Sequence, residues 1–205
     1  MDQKEIKLGN ISTSETEIKD ILKAWMAISL AFAIMLSNSI LSSDFYLKFI
    51  IASLTVGVGF LFHELGHKVV AQRYGYFAEF RSFDNMLLLA IAMSFFGIVF
   101  AAPGAVMIFA RASREKNGKI SAAGPVINIL LALAFLALLS IQMPNLFKQA
   151  AYYGFVINSW LALFNMLPFW LFDGYKILKW NKAVYGFMVV IAVALMLLQH
   201  FVKAY

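Results

Sequence analysis

The chain has 205 residues, 62% hydrophobic and 14% charged, with a formal net charge of +6. Soluble globular chains are nearer half apolar and a quarter charged, so composition excludes that class and indicates a helical integral membrane protein. With no cysteine there is no disulfide, thiolate metal site or cysteine nucleophile. The positive charge fits Lys and Arg on cytoplasmic loops rather than a nucleic-acid partner.

Residues 1–24 are polar and mixed in charge, and are expected to form a cytoplasmic N-terminal segment. Ser12, Thr13 and Ser14 are placed to cap a helix starting there. Five acids and no small-residue cleavage site argue against a secretory signal. Residues 25–205 are expected to be one transmembrane domain. Trp25 to Leu41 is the first uncharged run, with Asn38, Ser39, Ser42, Ser43 and Asp44 at its exit. A second apolar run, Phe45 to Ala71, carries His63, Glu64 and His67, and Gly75 is placed to stop its helix. Met86 to Ala110 is uncharged but broken by Pro103-Gly104. A basic loop with Arg111, Arg114, Lys116 and Lys119 leads to the Ile120–Ile141 span. Gln149–Phe172 follows, then a loop with Lys176, Lys179 and Lys182, and a last span, Ala183–Val202.

Charge orders these runs. If Met86–Ala110 makes no net crossing, only Lys48, Lys148 and Lys203 of the 17 basic residues fall opposite the rest. The positive-inside rule makes the rich side cytoplasmic. The expected fold is an all-α polytopic membrane protein with five to six transmembrane helices. A re-entrant or hairpin insertion lies between the histidine helix and the Gly-Pro helix. The N-terminus and the opening of the site are then cytoplasmic, in a multi-pass protein of the cell membrane.

His63 and His67 are four apart, so a helix puts both imidazoles on one face, where two nitrogens can grip one metal ion. Glu64 stands about 100° round from His63, within reach of a metal-bound water. This is the His-Glu-x-x-His pattern of zinc hydrolases. His63 is ten residues before Arg73, so it is roughly 15 Å from the cytoplasmic edge. Charged groups at such depth are costly and commonly functional. The plain alternative is a polar helix face with Glu64 paired to Lys68 at i,i+4. Catalytic zinc takes three protein ligands and keeps one open position. Asp173, entering from the side of His67 after an uncharged run, is the candidate third ligand; its alternative is a cap or turn residue before Gly174. His200, near the end of the last span, reads as interfacial.

The sequence resembles the site-2 protease family of intramembrane zinc metalloproteases, in a minimal form without PDZ or CBS domain. The resemblance covers about residues 20–180. It rests on His63-Glu64-Leu65-Gly66-His67 in a membrane span and on Asn165-x-x-Pro168 followed by Asp173-Gly174. Ala123-Gly124-Pro125-x-x-Asn128 supports it, and Pro103-Gly104 resembles the membrane-associated strand region that precedes that helix. The resemblance implies one Zn2+ per chain on His63, His67 and Asp173, with Glu64 as general base. Asn165, Asn128 and Gly104 are candidates for contacting the substrate or its oxyanion.

The expected activity is hydrolysis of a peptide bond in or near a transmembrane segment of a membrane-protein substrate. The expected partners are that substrate, the lipid bilayer, and a regulatory protein or a second copy of the chain. A helical substrate must unwind before cleavage, and the Phe95–Ala110 segment could offer it a strand edge or could simply fill space as a hairpin. The competing functions are a divalent-metal transporter and an inactive metal-binding membrane scaffold. A transporter would carry acids along other spans and an internal repeat; here the acids within apolar runs are Glu64 and Asp173, and no repeat is evident.

Overall fold

The computed structural model describes residues 5–9, 11–37, 40–99, 103–109 and 111–202. Asn38, Ser39, Ala110 and Lys203, named above, lie outside them, as do residues 1–4 and 10 of the N-terminal segment. The chain divides into two compact units, Met1–Ala110 and Arg111–Tyr205.

The first unit opens with an antiparallel hairpin of β1 (Glu5–Leu8) and β2 (Ile11–Ser14). Helix α1 (Glu15–Leu36) follows without a break. Ser14 caps it, its hydroxyl accepting from the Glu17 amide at 3.2 Å, as its position suggested. The polar segment thus supplies the first turns of α1, and residue 24 lies mid-helix.

Helices α2 (Phe45–Ala52) and α3 (Val58–Arg73) join through a π-helical turn, Ser53–Gly57, into one helical run of 29 residues. The Trp25 indole lies against that turn and donates to the Ser53 carbonyl at 3.0 Å. A Cβ at Gly57 would sit 2.6 Å from the indole, so glycine is what admits it. Gly75, at φ +79°, ends the run. Its amide donates to the Gln72 carbonyl, and that of Tyr76 to Ala71, which satisfies the last carbonyls of α3.

The described residues of the 86–110 run are not one continuous helix. Helix α4 (Asp84–Ser94) is followed by strand β4 (Gly104–Ile108), which pairs antiparallel with β3 (Ala78–Ser82). The Phe83 amide donates to the Pro103 carbonyl at 3.0 Å, so the segment returns to its starting point. The protein is mostly helical, but the all-α expectation is corrected by two small hairpins. A uniformly apolar run hides the two-residue alternation that marks a strand. At Gly104 a Cβ would lie 2.3 Å from the Phe80 ring and 2.5 Å from the Arg81 carbonyl, which explains a glycine in the strand.

The second unit holds α5 (Arg114–Leu139), α6 (Asn145–Asn165), α7 (Asp173–Trp180) and α8 (Lys182–Leu198). The two basic stretches expected as loops are largely helix. Arg114, Lys116 and Lys119 form the first turns of α5, capped by Ser113, while Lys176 and Lys179 lie on α7. Ile129, Ala132, Phe155, Ala162, Ala192 and Leu195 make the core of α5, α6 and α8. Within it Asn128 donates to Asn158 at 3.0 Å, and Asn158 to the Gly154 carbonyl at 2.8 Å.

Among the described residues, two helices are long and apolar enough to cross a membrane, Phe45–Arg73 and Arg114–Leu139. Helices α4 and α8 are apolar but shorter. Helices α1 and α6 have the length, but polar residues such as Glu15, Glu17, Lys19 and Asp20, or Lys148, Gln149 and Asn158, dilute their apolar content. The count by this measure is therefore below the five to six expected.

Gly174 shows how tightly the second unit is joined. A Cβ there would lie 2.3 Å from the Met166 carbonyl oxygen, and backbone cannot rotate away as a side chain can. Gly174→Ala should destabilise the protein by about 1–3 kcal/mol. Thermal unfolding in detergent measures this; an unchanged midpoint would show that the contact yields freely.

Candidate metal centre

His63, Glu64 and His67 sit near the middle of α3, away from both ends where backbone groups lack partners. The four-residue spacing stacks the two imidazoles edge to face, with ring centroids 4.7 Å apart and planes at 86°. Their Nε2 atoms lie 3.0 Å from each other. Two nitrogens on one tetrahedral ion, with bonds of about 2.0–2.1 Å, stand roughly 3.3 Å apart. The pair therefore fits a single cation with little adjustment. Both histidines are buried, at 5% and 8% exposure, while Glu64 is half-buried. An apolar surround of this kind strengthens a metal–ligand contact and limits water to what the site admits.

Helix α3 packs on the β3–β4 sheet through Phe60, whose ring meets that of Phe80 edge-on at 5.9 Å. The two edges of that sheet differ. Antiparallel pairing alternates inward and outward backbone groups. The Phe109 amide bonds Phe77, and that of Phe83 bonds Pro103, so residues 105 and 107 face β3 while Gly104, Val106 and Ile108 face away. On β3, two of the outward groups are taken by side chains: Phe80 donates to Glu17 at 2.8 Å, and the Ala78 carbonyl accepts from Gln72 at 2.9 Å. Gln72 also exchanges bonds with the Ser12 amide and carbonyl, at 3.0 and 2.9 Å, and so ties β2 to the end of α3. No strand lies beyond β4 among the described residues.

The remaining candidate residues fall as follows. Asp173 is the first residue of α7, 8% exposed, with the Lys176 ammonium 3.8 Å from its carboxylate. A carboxylate in the first turn is favoured by the helix dipole. Gly174 behind it does not have a positive φ; its role is the close approach to Met166 rather than a turn. The Met166 carbonyl also accepts from the Tyr185 hydroxyl at 3.0 Å. Asn165 ends α6, its amide donating to the Leu161 carbonyl at 2.9 Å. Asn128 is fully buried against Asn158, and Gly104 opens β4 beneath Phe80.

Lys68 does not pair with Glu64. Its ammonium bonds Glu17 at 2.5 Å, and both residues are almost completely enclosed, at 2% and 0% exposure. The signal for this in the sequence is a lysine inside an apolar helix, which needs a carboxylate. The nearer acid hides the true partner, 51 residues upstream.

Comparison with known proteins gives the setting of this centre. The family model described as Peptidase family M50 matches residues 51–152. A protein of Methanocaldococcus jannaschii named "Putative zinc metalloprotease MJ0611" is 42% identical over 176 residues, covering 84% of this chain and 88% of that one. A second from the same organism, "Zinc metalloprotease MJ0392", is 25% identical over 151 residues, which are 73% of this chain and 39% of its own length. No solved structure matches. With the histidine pair inside the matched segment and the likeness running over most of both chains, the protein belongs to Peptidase family M50.

Proposed function

We propose that the chain is an intramembrane zinc endopeptidase of the site-2 type, cleaving a peptide bond in or near a transmembrane segment of a membrane protein. One observation carries the reading: two buried imidazoles whose Nε2 atoms lie 3.0 Å apart, beside a carboxylate, on a helix apolar enough to cross a membrane. Family membership and the names of the two relatives support it.

In this reading His63, His67 and Asp173 hold the zinc, two neutral nitrogens and one carboxylate oxygen, a donor set that suits that ion. Bound there, zinc would supply a Lewis acid for the scissile carbonyl and would lower the pKa of an attacking water towards neutrality. Glu64 takes the proton of that water and returns it to the leaving amine. Its position one residue after His63 aims it beside the nitrogen pair rather than at it. The second amide proton of Asn165, beyond the one given to Leu161, is free to meet a substrate carbonyl. Asn128 contributes through the joint of α5 and α6. The basic-rich face is cytoplasmic, and water enters from that side.

The substrate must be unwound to be cut, and β4 gives the freed backbone a partner. Gly104, Val106 and Ile108 present outward amides and carbonyls, and an extended segment added there completes a third strand. The side-chain bonds of Glu17 and Gln72 leave β3 unsuited to the same task.

Three outcomes are expected. Glu64→Gln should retain zinc but lower cleavage of a membrane-protein substrate by about 10²–10⁴-fold; normal turnover would remove Glu64 from the mechanism. Asp173→Ala should lower zinc content measured by atomic absorption, and full occupancy would assign the third ligand elsewhere. Val106→Pro removes an outward amide while sparing the β3 ladder, so KM should rise roughly several-fold with thermal stability kept. Unchanged kinetics in that variant would mean that β4 does not hold substrate.

A further inference from the structure

The Glu17 carboxylate is a meeting point for three elements. One oxygen accepts from the Lys68 ammonium at 2.5 Å and from the Thr13 hydroxyl at 2.7 Å; the other accepts from the Phe80 amide at 2.8 Å. Thr13 belongs to β2, Phe80 to β3, and Lys68 follows His67 directly on α3. Glu17 itself is locked by its position in the first turn of α1, behind the Ser14 cap. Such convergence satisfies a buried carboxylate fully and fixes where the lysine points.

The lysine has a second carboxylate within reach along its own helix. Glu64 precedes it by four residues, and Glu before Lys at i,i+4 is the favoured order for a helical ion pair. A buried ammonium that loses one carboxylate is driven to another, because an unpaired charge in an apolar surround is costly. If Lys68 turned to Glu64, it would occupy the lone pairs that the base needs for a water proton.

We propose that Glu17 is a positioning residue for Glu64: by holding the Lys68 ammonium on the β3 side of α3, it keeps the catalytic carboxylate from being captured as an ion pair. The N-terminal segment is thereby part of the catalytic arrangement without touching substrate. This inference rests on Glu64 being the general base.

The test is a double-mutant cycle on the full-length, zinc-loaded protein in detergent or liposomes, with kcat, KM, zinc content and thermal midpoint read for each variant. Glu17→Gln keeps the size of the side chain and an oxygen for the Phe80 amide but releases the lysine. It should lower kcat by about tenfold or more, within the range of disabling a general base, with KM and zinc content near those of the parent. Lys68→Met should retain kcat while lowering the thermal midpoint, because the buried Glu17 carboxylate loses its ammonium. Adding Lys68→Met to Glu17→Gln should restore kcat to within about threefold of the parent, because no ammonium remains to capture Glu64. A merely structural tie gives the opposite pattern, with the double variant as impaired as Glu17→Gln or worse, and that result overturns the proposal. So does a Glu17→Gln enzyme with undiminished kcat. If Glu17→Gln fails to fold, Lys68→Met decides: a folded, zinc-loaded variant with parental kcat supports the proposal, and one with lost kcat refutes it. The Glu64→Gln enzyme separates the two levels. Its activity would sink the base assignment, whereas its inactivity together with a failed rescue sinks this inference alone.

Discussion

Every polar group buried in an apolar helix has to find its partner within the protein, and α3 carries three such groups, His63, His67 and Lys68, within six residues. His63 and His67 face each other, and Lys68 reaches Glu17. Satisfying these groups recruits the rest of the first unit. The turn that begins α1 is needed for Glu17, the β3 strand for its remaining oxygen, and β4 to complete the sheet. The first unit can thus be read as a set of supports assembled around one polar stripe in an apolar helix.

The supports use close approach more than bulk. Glycine appears where backbone or a ring must pass: Gly57 under Trp25, Gly104 under Phe80, Gly118 beside Trp180, Gly174 against Met166. Each of these contacts brings two elements nearer than any side chain would allow, which fixes distances without adding polar groups to an apolar interior. The π-helical turn at Ser53–Gly57 fits the same plan. It sits directly before α3 and is held by a tryptophan from α1, so the histidines start from a clamped position rather than from a free helix end.

Much of the centre was legible in the chain because its information is local. The four-residue spacing of His63 and His67, the adjacent Glu64, the Ser14 cap and the Gly75 stop are all readable over a single turn or helix end. What escaped depended on distant pairing or on a masked period. The β3–β4 hairpin lies in a run so apolar that strand and helix look alike. The lysine-rich stretches of α5 and α7 read as loops because charge was taken for the absence of a helix, yet exposed helix turns carry charge as readily. Glu17 stood among many charges of the N-terminal segment, and nothing near it in sequence marked it as the partner of Lys68. The reason for Gly174 lay in the backbone of Met166, which sequence spacing does not reveal.

If the free edge of β4 holds substrate as proposed, its geometry bears on substrate choice. Outward groups on β4 recur at every second residue, Gly104, Val106 and Ile108, about 6.8 Å apart along a strand. A chain lying along that edge turns alternate side chains towards and away from the protein. If a substrate lies there, selectivity on this edge would follow a period of two, set by the alternate side chains turned towards the protein. Proteins with unrelated contiguous sequences could then be equally good substrates, provided that their beat matched.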